Sequence, residues 1–339
     1  MAQSTIVSTR TILRPFQVEA LQALEQHQHV LCVAPTGSGK SLIYETWIQR
    51  NRPRTILLTP LVSLARQQRE RLREQSDRVR VLCPESLLNP KCEQNLLEWN
   101  PQFWVVDECH CIWEWGREFR PAYAQVPAWM KKTKPSHSLW LTATLPGIAR
   151  KELREALQPA QLHELGGFKL PENLMIRCFY LDYIDRLQAL KTWILMQREP
   201  GLIFVNTRRW AEKLSRWLKE QVGAEAEFYH AGLSQEEKIS VENQLRAKKL
   251  QTVIATSAFG MGMDFPFLKW VVIWQPPYSL LALAQALGRV ARNESKGTAL
   301  LFWSHMDFRN EHKTRENADV LEWYVSSNNR KVALYEYFE

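Results

Sequence analysis

The stretch His29 to Ser41, HVLCVAPTGSGKS, restricts the fold more than any other part of the chain. An apolar run, His29 to Ala34, reads as a short buried strand. It meets the loop Pro35-Thr36-Gly37-Ser38-Gly39, and a helical pattern starts at Lys40. Strand, glycine-bearing loop and helix in that order make a phosphate cradle, because loop N–H groups and the helix N-terminus converge on one anion. In such a cradle Lys40 reaches the β- and γ-phosphates and the Ser41 hydroxyl binds Mg²⁺. The strict pattern has Gly where Ala34 stands, while Gly37, Gly39, Lys40 and Ser41 are all in place. A plain Gly/Ser turn is the alternative reading. A cradle of this kind needs a strand inside a parallel sheet with a helix on its face, so the chain is expected to be α/β.

The remaining sequence keeps that rhythm. Arg14 to Gln26 reads as a helix, Thr55 to Thr59 as a strand, and Leu61 to Gln75 as a charged helix. Arg78 to Cys83, Phe103 to Val106 and Ser138 to Thr142 read as further strands. Glu164 to Asn173, with Gly166, Gly167 and Pro171, reads as a linker. A second series follows, with strands at Ile176 to Leu181, Gly201 to Val205, Gln251 to Ala255, Trp270 to Trp274 and Thr298 to Phe302, and a helix at Asp185 to Gln197. The expected organisation is two tandem parallel sheets flanked by helices, residues 1–166 and 167–316, with a ligand cleft between them. Residues 317–339 are expected to add helices to the second domain. A length of 339 residues suits two domains.

Val105 to Tyr123, VVDECHCIWEWGREFRPAY, carries the other concentrated chemistry. Asp107 and Glu108 follow an apolar strand, the setting for a Mg²⁺-binding carboxylate and a group that orients or deprotonates an attacking water. A carboxylate pair capping a strand end is the bland alternative. Aromatics mixed with arginines after it suit unstacked bases and a phosphate backbone. Arg289 and Arg292 stand three residues apart in QALGRVAR, expected on one helix face, where they would steady charge developing on a γ-phosphate. Ordinary surface arginines are the alternative.

Composition narrows the class. Apolar residues make up 45% and charged residues 24%, as in a soluble globular protein, and no run approaches the ~18 apolar residues of a membrane span. The N-terminus has no apolar core of signal-peptide length, so a cytoplasmic protein is expected. Net charge is +8 and tryptophan is frequent at 14, which fits a polyanion partner with base stacking. None of the six cysteines forms a C-x-x-C pair, so no zinc site is expected.

Together these residues resemble a superfamily 2 helicase, and most closely the RecQ family of DNA helicases, from about Leu13 to Phe338. The Asp107-Glu108-Cys109-His110 box, with Cys111-Ile112, Trp115-Gly116, Phe119-Arg120-Pro121 and Tyr123, is similar to that family's aromatic-rich loop. Leu13-Arg14-Pro15-Phe16-Gln17 resembles its adenine-reading motif, with Phe16 where Gly is usual. Thr59 to Leu64, Pro84 to Leu87, Leu141 to Thr144, Phe204 to Arg208, Tyr229 to Leu233 and Ala255 to Asp264 resemble its later motifs in order. Gln285 to Arg292 resembles the last, with Ala291 where Gly is usual.

The resemblance implies two RecA-like domains, ATP and Mg²⁺ as cofactors, and 3′→5′ movement on single-stranded DNA, with forked DNA as a further partner and the monomer as the working state. It implies an ATPase site of Lys40, Asp107, Glu108, Arg289 and Arg292, with Ser41 and Asp107 on the metal. Gln17, Arg14, Gly37, Ser38, Gly39 and Asp264 would complete nucleotide binding. Trp115, Phe119, Arg120, Thr59, Ser63, Asn206, Arg208 and Thr256 would meet DNA.

The chain also departs from the family pattern. About ten residues separate the helix ending near Arg73 from Pro84, where RecQ proteins usually have another strand–helix unit. Asn329 stands about where the first zinc cysteine is expected, and no winged-helix domain follows, so translocation is expected to outlast unwinding. An RNA helicase, a non-hydrolysing binding module and an unrelated phosphate-loop ATPase are the competing readings. The first would not be expected to carry the Trp115–Phe119–Arg120 loop, the second would lose Lys40, Glu108 or a late arginine, and the third leaves the second half unexplained.

Overall fold

A computed structural model of the chain describes residues 12–115, 120–157, 162–259, 265–292, 295–309 and 314–339, apart from the side chains of Ser63 and Trp115. The described residues form two compact units that divide after Gly167, the loops at 35–37 and 143–148 apart.

The first unit is a six-stranded parallel sheet in the order β3-β2-β4-β5-β1-β6. Its strands are β1 (His29–Val33), β2 (Thr55–Leu58), β3 (Val79–Leu82), β4 (Phe103–Val106), β5 (His137–Thr142) and β6 (Leu162–Gly166). Strands β1, β2 and β4 are buried at every position, which is why their sequences are unbroken apolar runs. The helices are α1 (Pro15–Gln26), α2 (Ser41–Asn51), α3 (Val62–Arg71), α4 (Pro90–Trp99), α5 (Cys111–Trp115), α6 (Val126–Thr133) and α7 (Gly147–Ala156). Leu21, Leu24, Ile43, Tyr44, Trp47 and Ile48 carry α1 and α2 onto one face of the sheet.

Two expectations change here. Glu164 to Gly166, read as linker, lies in β6, paired in parallel with β1. Gly166 takes φ +72°, and a Cβ there would lie 2.3 Å from the Val33 carbonyl oxygen. The glycine that marked a linker therefore serves close backbone approach at a sheet edge. The charged helix stops at Arg71, and a short 3₁₀ turn covers Arg73 to Gln75.

The second unit is also six parallel strands, in the order β7-β12-β11-β8-β10-β9. These are β7 (Leu174–Tyr180), β8 (Gly201–Phe204), β9 (Ala226–Tyr229), β10 (Thr252–Ala255), β11 (Trp270–Ile273) and β12 (Gly297–Trp303). The four-residue β9 is a strand that the sequence reading passed over. Around the sheet lie α8 (Tyr183–Met196), α9 (Arg208–Trp217), α10 (Gln235–Arg246), α11 (Leu280–Leu287), α12 (Arg315–Ser326) and α13 (Arg330–Phe338). The last two join the sheet's own core through Leu321, Tyr324, Leu334 and Phe338. Each such side chain contributes roughly 1.5–3 kcal/mol on burial. No described helix is long and apolar enough to cross a membrane.

Candidate nucleotide site and nucleic-acid surface

The cradle sits where β1 hands over to α2. Gly37 and Gly39 take φ +80° and +84°, conformations that turn successive N–H groups toward one point. Lys40 Nζ donates to the Ala34 carbonyl at 2.8 Å, across the loop. The buried Ser38 hydroxyl oxygen has no hydrogen-bond partner among the described residues. A Cβ on Gly39 would lie 2.7 Å from Gln17 Nε2, so a larger residue there would push on that side chain as well as strain a backbone at φ +84°.

Gln17, the expected base reader, is 2% exposed. Its amide oxygen accepts the Arg14 N–H at 2.7 Å, and Nε2 donates to the Gly39 carbonyl at 2.8 Å. Arg14 Nη1 donates to the Ser38 carbonyl at 3.2 Å. The two residues expected to read the nucleotide thus hold the cradle's backbone.

Asp107 and Glu108 follow β4, which is separated from β1 by β5. Glu108 has φ +50°, a left-handed conformation that costs a non-glycine residue about 1–2 kcal/mol. The Asp107 carboxylate accepts the Glu108 N–H at 3.0 Å and so holds that turn. Burial first, and then the Glu108 carboxylate, push the Asp107 carboxyl well above the usual carboxylate range, while Lys40 pulls it down. A buried carboxyl of that kind gains strongly from a bound cation. The ionic cradle and the acidic pair fit a nucleoside triphosphate with Mg²⁺. Among the described residues no group of three or more His, Cys, Asp or Glu is placed to hold a metal ion by itself.

The aromatic-rich segment is anchored on both sides. His110, 3% exposed, pairs through Nδ1 with Thr142 Oγ1 at 2.9 Å. Trp113 donates from Nε1 to Glu152 at 2.8 Å. Arg120, expected to sense DNA, grips Glu85 with both prongs at 2.6 and 2.8 Å and donates to the Pro60 carbonyl at 2.7 Å. The Trp115 side chain, the Ser63 side chain, Phe119 and Asp264 lie outside the described residues.

Other expected DNA contacts are placed unequally. Thr59 and Thr256 are 1% and 8% exposed, so their side chains are inside and not on the surface. Each directly follows a buried strand, β2 or β10, and its N–H still bonds to a neighbouring strand's end, at Leu82 or Tyr229. Asn206 donates to the Pro276 carbonyl at 3.0 Å. Arg208 is exposed at the start of α9, and a Cβ on Gly232 would lie 3.1 Å from its Nη1. His230 accepts the Gly232 N–H at 3.2 Å and faces Glu212 at 3.1 Å, so it is a satisfied loop histidine.

Arg289 and Arg292 do not share a helix face. Helix α11 ends at Leu287, and Ala291 takes φ +58° between the arginines. Arg292 then folds back, donating from Nε to the Gly288 carbonyl at 3.0 Å. Sequence reasoning missed Glu85 and Glu212 as partners of Arg120 and His230. They lie 35 and 18 positions away, and no local spacing marks them.

Fold and cradle together define a phosphate-loop protein built of two RecA-like units. Two family models match: "DEAD/DEAH box helicase" over residues 14–89 and "Helicase conserved C-terminal domain" over residues 185–294. A probable ATP-dependent DNA helicase RecS of Bacillus subtilis is 26% identical over 325 residues, covering 88% of this chain and 65% of its own. The ATP-dependent DNA helicase RecQ of Synechocystis is 28% identical over 313 residues, covering 82% and 65%. Among solved structures, Saccharomyces cerevisiae Dbp5 bound to RNA and ADP BeF3 is similar in fold. Its TM-score is 0.68 at 18% identity, over 96% of this chain and 87% of that one. These helicase models and DNA helicase relatives support a RecQ-type superfamily 2 helicase core, and the chain spans less than two thirds of the length of these two curated relatives.

Proposed function

We propose that this chain is a DNA-dependent ATPase that moves 3′→5′ along one strand and uses that movement to separate duplex DNA. The observation that carries the reading is the cradle held by Gln17, together with the half-buried Asp107–Glu108 pair in the same unit. The relatives' printed names, DNA helicases, favour DNA over RNA.

ATP with Mg²⁺ supplies the phosphoanhydride bond and the charge that offsets its oxygens. Lys40 and the N–H groups of Gly37, Ser38 and Gly39 hold phosphate oxygens. Ser41 and Asp107 hold the cation. Gln17 and Arg14 bind at the adenine end, and Asp264 is assigned to the nucleotide as well. Glu108 orients the attacking water and takes its proton. Arg289 and Arg292 are assigned, from the resemblance alone, to the charge that develops on the γ-phosphate. Asn206 and Arg208 hold the strand's backbone. Trp115, Phe119 and Arg120 report its presence to Glu108 through His110, which braces the same turn against Thr142.

The test is ATP hydrolysis by wild type, Lys40→Ala and Trp115→Ala with no nucleic acid, single-stranded DNA or RNA. Strong stimulation by DNA, lost in Trp115→Ala, with no turnover in Lys40→Ala, is expected. Equal stimulation by RNA moves the assignment to an RNA helicase, and no stimulation by either removes the motor reading. A forked-duplex assay then separates unwinding from translocation.

A further inference from the structure

Strands β7 and β12 end side by side, with Tyr180 and Trp303 as register partners. Their rings meet edge-on, centroids 5.0 Å apart. His305 lies 5.4 Å from Tyr180 and 5.6 Å from Trp303, and Phe308 lies 5.9 Å from Trp303. A cluster of four rings ordinarily lies inside a core, yet Tyr180 is 59% exposed and the His305 side chain 61%. Beside His305 and Phe308 opens a cavity of about 430 Å³, bounded on the other side by α12. Its wall includes Arg309 and Arg315, both exposed, and the carboxylates Asp319 and Glu322. Glu322 also pairs with His305 Nδ1 at 3.5 Å.

Three chemistries meet in a space suited to a ligand of small-molecule size. Flat rings offer a stacking face, guanidinium groups offer a phosphate site, and carboxylates accept hydrogen bonds without donating any. We propose that this cavity takes one unstacked nucleotide of a single strand. Its base lies against His305 and Phe308, its phosphate on Arg309 and Arg315, and its exocyclic amino group donates to Asp319. The acceptor sets a preference. Cytosine, adenine and guanine each carry an amino group, whereas thymine offers one N–H flanked by two carbonyl oxygens that a carboxylate repels. The site rests on the motor reading but shares no residue with the cradle or the expected strand contacts.

The experiment measures binding of fluorescent dodecamers of deoxycytidine and of thymidine by anisotropy, with DNA-stimulated ATP hydrolysis read in parallel. Wild type is compared with His305→Ala and Asp319→Asn, both substitutions at exposed positions. The expected result is an affinity for the deoxycytidine oligomer about tenfold above that for thymidine in wild type. His305→Ala weakens both oligomers, and Asp319→Asn abolishes the ratio while hydrolysis without DNA stays unchanged. A wild type stimulated by both oligomers, whose ratio is the same in Asp319→Asn, overturns the site and leaves the motor reading standing. A wild type that neither oligomer stimulates overturns the motor reading, and this site with it.

Discussion

Gln17 holds the cradle and is proposed to read the nucleotide, and replacing it tests both roles. Its side chain is 2% exposed and makes two short bonds, to the Arg14 N–H at 2.7 Å and the Gly39 carbonyl at 2.8 Å. Gln17→Ala removes both and leaves two backbone groups without those partners. At about 0.5–1.5 kcal/mol for each bond, the first unit is expected to lose about 2 kcal/mol. For a unit of this size that is about 4–8 °C in Tm. Gln17→Glu keeps the acceptor facing Arg14 but turns a carboxylate oxygen toward the Gly39 carbonyl, so it is expected to relieve nothing at the cradle. If the same amide both holds the loop and reads adenine, both variants weaken ATP about 10- to 100-fold, or roughly 1.4–2.8 kcal/mol. Thermal unfolding and titration with a fluorescent ATP analogue read the two effects on one sample. A variant that loses stability yet binds ATP as wild type does refutes the reasoning, because Gln17 would then be a helix-end brace only.

Further outcomes are expected elsewhere. Asp307→Ala leaves the Arg186 guanidinium, 5% exposed, without its bidentate partner, and should cost the second unit about 3–5 kcal/mol by chemical denaturation. The double variant Arg186→Met, Asp307→Leu should recover most of that loss. His29 is held down to about 4, first by burial and then by His137. Its folded value lies below the unfolded one, so the unfolded chain binds more protons between them. Stability is therefore full above about pH 6.5 and falls as the pH drops toward 4, by on the order of 2 kcal/mol after allowing for solvent screening. His29→Gln should flatten that part of the stability profile. Glu85→Gln weakens the grip on Arg120 at a half-exposed ion pair, so stability should change by less than about 1 kcal/mol. The DNA concentration for half-maximal ATPase stimulation should nevertheless rise several-fold.

The parts of the fold legible in the sequence were those whose physics is local. Unbroken apolar runs such as Phe103 to Val106 can only be buried on both faces, and the glycines of the cradle state their conformation directly. What failed were residues whose meaning depends on a distant neighbour. Gly166 reads as linker until Val33 is known to pass beside it. Arg289 and Arg292 carry helical spacing, but α11 ends at Leu287 and Ala291 is left-handed. Alanine there bears a backbone strain of about 1–2 kcal/mol that glycine avoids. Buried by the fold, its methyl recovers part of that. Thr59 and Thr256 look like surface hydroxyls by type, and only sheet order puts them inside.

The same distinction bears on how the aromatic-rich segment can act. Its two anchors lie on different parts of the first unit's sheet. His110 is tied to the end of β5 through Thr142, and Arg120 is tied to the residues after β2 and β3 through Pro60 and Glu85. Between those anchors the chain carries Trp115 and Phe119, and just before the first of them stands Glu108 on a strained backbone. A guanidinium engaged by a carboxylate and a carbonyl is poorly disposed to hold a phosphate at the same time. Arg120 is therefore better assigned to fixing one end of the segment than to gripping the strand. On the proposed sensing role, a base held on the aromatic side chains would load the segment between these two anchors. The Asp107–Glu108 turn lies just before the first anchor, and a change in its strained backbone would move the carboxylate proposed to orient water. Such a coupling would run through His110, which pairs with Thr142 and lies 3.4 Å from the Glu108 carboxylate.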